Sequence, residues 1–449
     1  MYKIILAIRY LVKRRITYLA IFAVALCVLI GIVAMTVMTG LVREFKQKSH
    51  SFTGDCVVGT ESLVGFSYYE DFVNILEQVN FVEAVSPVIK SYVLVTPVGS
   101  EHSYGLEMMG IDPVMHNMAT GFGDTLHHRK NDAAKAFAPA YDPNSSGFVI
   151  GIDRWLEPDV NRRYAHASSP TRAALAITCF PLTAKGALAK AGAGLVNTRT
   201  FYFSDTSHSG LARVDSSLVY LPFEQAQLLC GMAGPIKRAN AIHIKFKPNV
   251  KLQDGCEKVA ALWQNFKQEK AGQKQVNLLE TVTVQSWKDY RRAHIAAMEK
   301  EQTMMTVMFV LVGVTTVFIV FVVFYMLVSH KSKDIGILKS IGVSNTNIIM
   351  LFSGFAIFVA LWGSCLGLFT GWLFLLKINR TEDWLFEHFG FQLWDRTIYA
   401  IGDIPNKMEP KVLAVIVCSA IVACLAGALL PSWQAAKLKP VETLRVSPL

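Results

Sequence analysis

Long apolar runs alternate with polar stretches along this chain. Ile16–Val42, Thr303–Ser329, Ile348–Leu376 and Val412–Leu430 contain no Asp, Glu, Lys or Arg. About 20 apolar residues suffice to cross a bilayer as a helix, and the four runs are of that order or longer. The pattern predicts transmembrane helices over 16–42, 303–329, 348–376 and 412–430. Between the first two lies a long polar region. Val88–Val95 and Ala241–Phe246 alternate like strands, while Tyr69–Val79, Phe223–Leu229 and Leu252–Gln268 carry helical spacing. Gly110-Ile111-Asp112-Pro113 and Asp142-Pro143-Asn144 read as turns. Gly121–Ala174 is polar and reads as a loop-rich insert or subdomain. The predicted fold class is a membrane protein: four transmembrane α-helices with a large α+β extracytoplasmic domain, residues 43–285, between helices 1 and 2.

Charge orients this plan. Lys331, Lys333 and Lys339 face one acid, Asp334, in the turn 330–347, and Lys437, Lys439 and Arg445 face Glu442 in the tail 431–449. Basic residues gather on the cytoplasmic side, so both termini and that turn are expected there. Met1–Arg15 is a basic amphipathic segment expected to lie along the membrane surface. Its basic start and the length of the following run favour an uncleaved first span over a cleaved signal. Residues 377–411 form a second outer loop. Ser286–Glu301 favours helix and runs into the second span, which predicts a stalk over 286–302. In the cytoplasmic turn, Ile335, Ile337, Leu338 and Ile341 give a short helix an apolar face that asks for a soluble partner. Gly363, Gly367 and Gly371 recur every four residues in the third span, where another helix can approach closely.

Composition narrows the class. Mean hydropathy is +0.35 and 17% of residues are charged, which fits a few spans plus a large soluble domain. The net charge of +10 resides largely where cytoplasmic loops are expected, which argues against nucleic acid as its cause. Four of the eight cysteines (Cys27, Cys365, Cys418, Cys424) lie in apolar runs and read as packing residues. Cys56, Cys179, Cys230 and Cys256 lie in the soluble region, able to pair in an oxidising compartment in any of three connectivities. His127-His128 lacks a carboxylate or cysteine at ligand spacing, so a solvated loop is preferred to a metal site. The chain has no GxxxxGK[ST], HExxH, GxSxG or CxxC, so no catalytic residue, metal site or cofactor is predicted. Spans without ionisable groups argue against an ion path and suit an apolar, membrane-borne cargo.

Four stretches in order resemble the FtsX/MacB-type permeases of ABC transporters, in particular the lipoprotein-releasing LolC/LolE family. Ile8-Arg9-Tyr10-Leu11 with Met35-Thr36-Val37-Met38-Thr39-Gly40-Leu41 is similar to the family's first span, Thr39 standing where Asn is usual. Trp287 through Met298-Glu299-Lys300 into Met304-Met305 resembles its stalk. Asp334-Ile335-Gly336-Ile337-Leu338-Lys339-Ser340-Ile341-Gly342 resembles its coupling motif, although the acid usual just before it is replaced by Ser329-His330-Lys331. Pro431, Ala435, Ala436, Pro440-Val441-Glu442 and Leu444-Arg445 resemble its tail.

The resemblance implies a bacterial inner-membrane, multi-pass permease with its large domain in the periplasm. It implies an ABC ATPase subunit in two copies, a second permease copy or paralogue, lipoprotein cargo and a periplasmic lipoprotein carrier. ATP would be bound by the ATPase, and this chain would hold no cofactor. Lys333, Asp334, Ile335, Gly336, Ile337, Leu338, Lys339, Ile341 and Gly342 would couple to the ATPase; Trp287, Glu299 and Lys300 would belong to the stalk. Two further readings stand beside it. One is a machine of the same fold for small-molecule or peptide efflux, or for activating a periplasmic partner. The other, which the coupling and tail motifs disfavour, is an anchored sensor or enzyme without an ATPase.

Overall fold

The computed structural model describes residues 15–130, 132–143, 145–157, 164, 172–189, 196–390, 394 and 404–438. The amphipathic segment expected before Arg15 lies outside them, as do the tail residues Pro440-Val441-Glu442 and Leu444-Arg445. The chain divides into two units: Arg43–Ala296 forms one, and the helices before and after it form the other.

The described residues contain four helices long and apolar enough to cross a membrane. They are α1 (Arg15–Thr53), α10 (Arg292–His330), α12 (Asn345–Phe389) and α13 (Pro410–Lys437). Each outruns its apolar stretch. Residues 377–389, expected in an outer loop, extend α12 by several turns. They include Lys377, Arg380, Glu382, Asp383 and Glu387, so the absence of apolar periodicity hid a helix that polar side chains tolerate well. Gly390, at φ +64°, ends it.

Close approach at small residues holds the helical unit together. A Cβ on Gly363 would lie 2.7 Å from Val24 Cβ, and one on Gly367 would lie 2.6 Å from the Ala25 carbonyl oxygen. Gly371 is less crowded, its nearest neighbour Ile32 being 3.4 Å away. The glycine stripe of the third span therefore receives the first helix. Gly31 abuts Phe309 and Gly427 abuts Val317 and Val320, so α1 meets α10 and α10 meets α13 by the same device.

The other unit is a mixed sheet with helices packed on it. Its elements are β1 (Cys56–Gly59), β2 (Phe66–Ser67), α2 (Tyr69–Glu77), β3 (Val82–Pro97), β4 (Tyr104–Ile111), α3 (Pro113–Ala119), α4 (Phe122–Thr125), β5 (Gly147–Gly151), α5 (Ile152–Trp155), β6 (Ala174–Cys179), β7 (Asn197–Ser207), α6 (Ala212–Ser217), β8 (Leu218–Pro222), α7 (Phe223–Leu229), β9 (Arg238–Ala239), β10 (Ala241–Phe246), α8 (Leu252–Glu269), β11 (Thr283–Ser286) and α9 (Trp287–Tyr290). Nine strands run in the order β11-β1-β10-β3-β4-β8-β5-β7-β6. The long β3 also pairs with β6 through Val93–Pro97, so β3, β4, β8, β5, β7 and β6 close a ring. Ring closure removes two edges that would otherwise expose unpaired backbone. Phe66, Phe72, Trp263 and Phe266 fill the core under α2 and α8, Trp263 meeting Phe66 and Phe72 edge to face.

Two expectations change here. Residues 121–174 are not only loop: β5 lies among them, wholly buried and paired with β7 and β8. The stalk is not one helix from Ser286. Ser286 belongs to β11 and caps α9, its Oγ accepting from the Asp289 N–H, and Arg291 separates α9 from α10. The break coincides with the Arg291 guanidinium stacking 4.7 Å from the centre of the Phe52 ring.

Candidate coupling site

The turn between α10 and α12 is a helix, α11 (Ser332–Ser340). Lys331 and Asp334 form an ion pair of 2.5 Å across its first turn. Its end is a Schellman motif: the Gly342 N–H donates to the Lys339 carbonyl at 3.0 Å and the Val343 N–H to the Leu338 carbonyl at 3.2 Å. Gly342 stands at φ +95°, a conformation that costs a Cβ-bearing residue about 1 kcal/mol or more. Ser344 then caps α12, accepting from the Asn347 N–H at 3.3 Å. Two helix ends with explicit caps, three residues apart, fix the direction of the turn.

The apolar residues of α11 do not share a face. Successive residues are turned by about 100°, so Ile335 and Ile337 point about 200° apart. Ile335 is buried, 3% exposed, in a cluster with Val328, Ile348, Ala435 and Ala436, and Gly336 is buried beside it. Ile337 and Ile341 are 49% and 76% exposed, and Leu338 is half-buried between the two sides. The single apolar face expected over Ile335–Ile341 is thus corrected to an anchored edge and an outward edge. Lys339 belongs to the anchor. Its ammonium donates to the Ala436 and Leu438 carbonyls, at 2.6 and 2.9 Å, at the C-terminal end of α13. A helix C-terminus carries unpaired carbonyls and partial negative charge, so a lysine there is doubly favoured. Lys333 is exposed beside the outward edge.

The remaining expected residues lie elsewhere. Gly363, Gly367 and Gly371 are in the α1–α12 contact. Trp287 is buried in the sheet unit, its ring 5.0 Å from that of His50 and its N–H donating to the Asp55 carbonyl at 3.0 Å. Glu299 and Lys300 are exposed on α10. Trp287 therefore stands apart from the other two, on the far side of the Arg291 break. The His128 and Arg129 N–H groups donate to the buried Asp205 carboxylate at 2.9 and 2.7 Å, which orders the His127–Lys130 turn. The helical unit also has a half-open apolar cavity of about 370 Å³, lined by Val24, Phe309, Val317, Ile416 and Ala420 among others.

Residues 306–440 match the family described as FtsX-like permease C-terminal. The match contains α11, α12 and α13 and the part of α10 from Thr306 onward, so this part of the chain is similar to the C-terminal region of FtsX-like permeases. LolC proteins are among the chain's homologues along nearly the full length. The lipoprotein-releasing system transmembrane protein LolC of Neisseria meningitidis serogroup B is 21% identical over 96% of this chain and 94% of its own. LolC of Xylella fastidiosa (strain 9a5c) is 22% identical over 98% of each chain. Among solved structures, the periplasmic region of MacB from Actinobacillus actinomycetemcomitans aligns with 56% of this chain and 96% of that one, at 11% identity and a TM-score of 0.32.

Proposed function

We propose that this chain is the permease subunit of an ABC transporter of lipoprotein-releasing type, working in a bacterial inner membrane. The observation that carries the reading is α11: a short helix between two apolar helices, anchored by Ile335 and Lys339, that presents Ile337 and Ile341 outward. Large apolar side chains held rigidly in solvent suit a protein partner. With the basic turn on the cytoplasmic side, that partner is an ABC ATPase, two copies serving two permease chains, and both termini are cytoplasmic. The sheet unit then lies in the periplasm. Closure of the ATPase moves α11 with the ends of α10, α12 and α13. The helices α1 and α10 lead onward in sequence to the sheet unit, which would hand lipoprotein to a carrier. Similarity to LolC supports this cargo class, and the apolar cavity among α1, α10 and α13 is compatible with a lipid-bearing substrate. ATP is bound and hydrolysed on the separate subunit.

The double variant Ile337→Asp, Ile341→Asp tests the coupling. The expected result is a chain that inserts and melts as wild type but no longer brings down an ATP-hydrolysing subunit from detergent extracts. Undiminished co-purification with undiminished ATPase activity would overturn the assignment of α11.

A further inference from the structure

The sheet unit contains four cysteines, Cys56, Cys179, Cys230 and Cys256, far apart in sequence, and the fold gathers them into two pairs. Cys179 ends β6, where it lies opposite Val93 of β3 and Asn197 of β7. Cys230 caps the C-terminus of α7. Both are buried, and their sulfurs are 3.6 Å apart. The backbone around them is already fixed, since the Leu182 N–H donates to the Cys230 carbonyl at 3.2 Å. Cys56 opens β1, buried between β10 and β11. Cys256, in α8, is half-buried and packs against the buried cluster that contains Cys56. Among the described residues no group of three or more His, Cys, Asp or Glu is placed to hold a metal ion.

We propose that the mature domain carries two disulfides, Cys56–Cys256 and Cys179–Cys230. The proposal rests on the orientation given above, because disulfides persist in oxidising compartments and not in the cytosol. A disulfide sulfur–sulfur bond is about 2.05 Å, so the Cys179–Cys230 pair needs only a side-chain shift of about 1.5 Å to close. The first bond ties the first strand of the domain to its last long helix. The second ties the ring of strands to α7. The oxidant is a disulfide-donating oxidoreductase or an oxidised low-molecular-weight thiol outside the cytoplasm. One cysteine thiolate attacks the donor disulfide to give a mixed disulfide, and its partner thiolate then displaces the donor sulfur. One S–S bond forms in the domain and one breaks in the donor, which takes up two electrons and two protons and departs as a dithiol from the oxidoreductase or as two thiols from the low-molecular-weight disulfide. Within the Cys56–Cys256 pair, Cys256 is the thiol that reaches solvent, and interaction with the Cys56 thiol lowers its pKa, which suits it to make the first attack.

The test is peptide mapping of the full-length chain, extracted from membranes with free thiols trapped by iodoacetamide and digested without reductant. In parallel, a Glu101→Cys variant, in the exposed turn between β3 and β4, is probed in intact spheroplasts with a membrane-impermeant maleimide. The expected result is labelling of Glu101→Cys, with the Cys56 peptide joined to that of Cys256 and the Cys179 peptide to that of Cys230. Reductant should then lower the melting temperature of the wild-type chain by roughly 5–10 °C and leave that of the variant with Ser at all four positions unchanged. Labelling of Glu101→Cys with the four thiols alkylated, or joined in another connectivity, would overturn the disulfides and leave the orientation standing. A blocked label with alkylated thiols would overturn both.

Discussion

Single residues decide how closely the helices approach. A methyl group on Gly363 or Gly367 has no room against Val24, Val28 and the α1 backbone, whereas at Gly371 the nearest atom is at ordinary contact distance. Gly363→Ala and Gly367→Ala should each destabilise the helical unit by about 1–3 kcal/mol, and Gly371→Ala by well under 1. Thermal melts of the detergent-purified variants read the order; equal effects at the three positions would contradict it. Two buried histidines of the sheet unit carry a pH dependence. Burial, then the charge of Lys90, holds His116 down at about 3, and burial, then Lys90, His116 and Arg291, holds His243 well below its usual value. Both stay neutral when folded but gain a proton when unfolded below about pH 6.5. Their contribution is complete above that pH and is lost as pH falls from there toward 3, at up to about 1.4 kcal/mol per unit for each. Replacement of His116 by Gln should flatten the loss of stability between pH 6.5 and 4, whatever it does at pH 7. An unchanged slope would remove His116 from the account.

At the scale of elements, the position of α11 depends on its ends more than on its own nine residues. A helix that short is not stable alone in water. The Gly342 turn sets the exit, and Lys339 ties the helix to the end of α13. Gly342→Ala strains a left-handed position and should cost about 1–2 kcal/mol. Lys339→Met keeps the aliphatic stem and removes the two bonds to the Ala436 and Leu438 carbonyls. On the proposed coupling role of α11, it should leave co-purification of the ATPase intact while reducing the stimulation of its hydrolysis. Loss of binding in Lys339→Met would mean that the ammonium contacts the partner directly.

For the whole molecule, the division into two units has a testable consequence. Every strand of the sheet and both of its buried clusters fall between Cys56 and Ser286. A fragment spanning Arg43–Ala296, made without the apolar helices, should therefore be monomeric and melt in one cooperative transition, followed by circular dichroism. A fragment that stays molten or aggregates at micromolar concentration would show that the membrane helices supply part of its core. The fragment would also tell whether closure of the β3–β6 pairing is intrinsic to the sheet.

Much of this was written in the linear pattern. Charge-free runs must leave water, so the four spans were legible, and alternation or helical spacing placed β10 and α7 at their observed ends. The polar break at His330–Val343 between two apolar runs located the turn that holds α11. Other features depend on distant partners. Nothing local distinguishes Ile335, buried by α13, from Ile337, left outside, or tells that Lys339 would meet the last carbonyls of a helix nearly a hundred residues away. The β5 strand was hidden because a five-residue apolar run gains its stability from β7 and β8, which the local pattern does not contain. Sequence placed glycines at four-residue intervals; the fold supplied Val24 and Val28 to occupy the space they leave. It likewise supplied the pairing of the four cysteines, because adjacency in a folded sheet arises from long-range strand contacts that no spacing along the chain encodes.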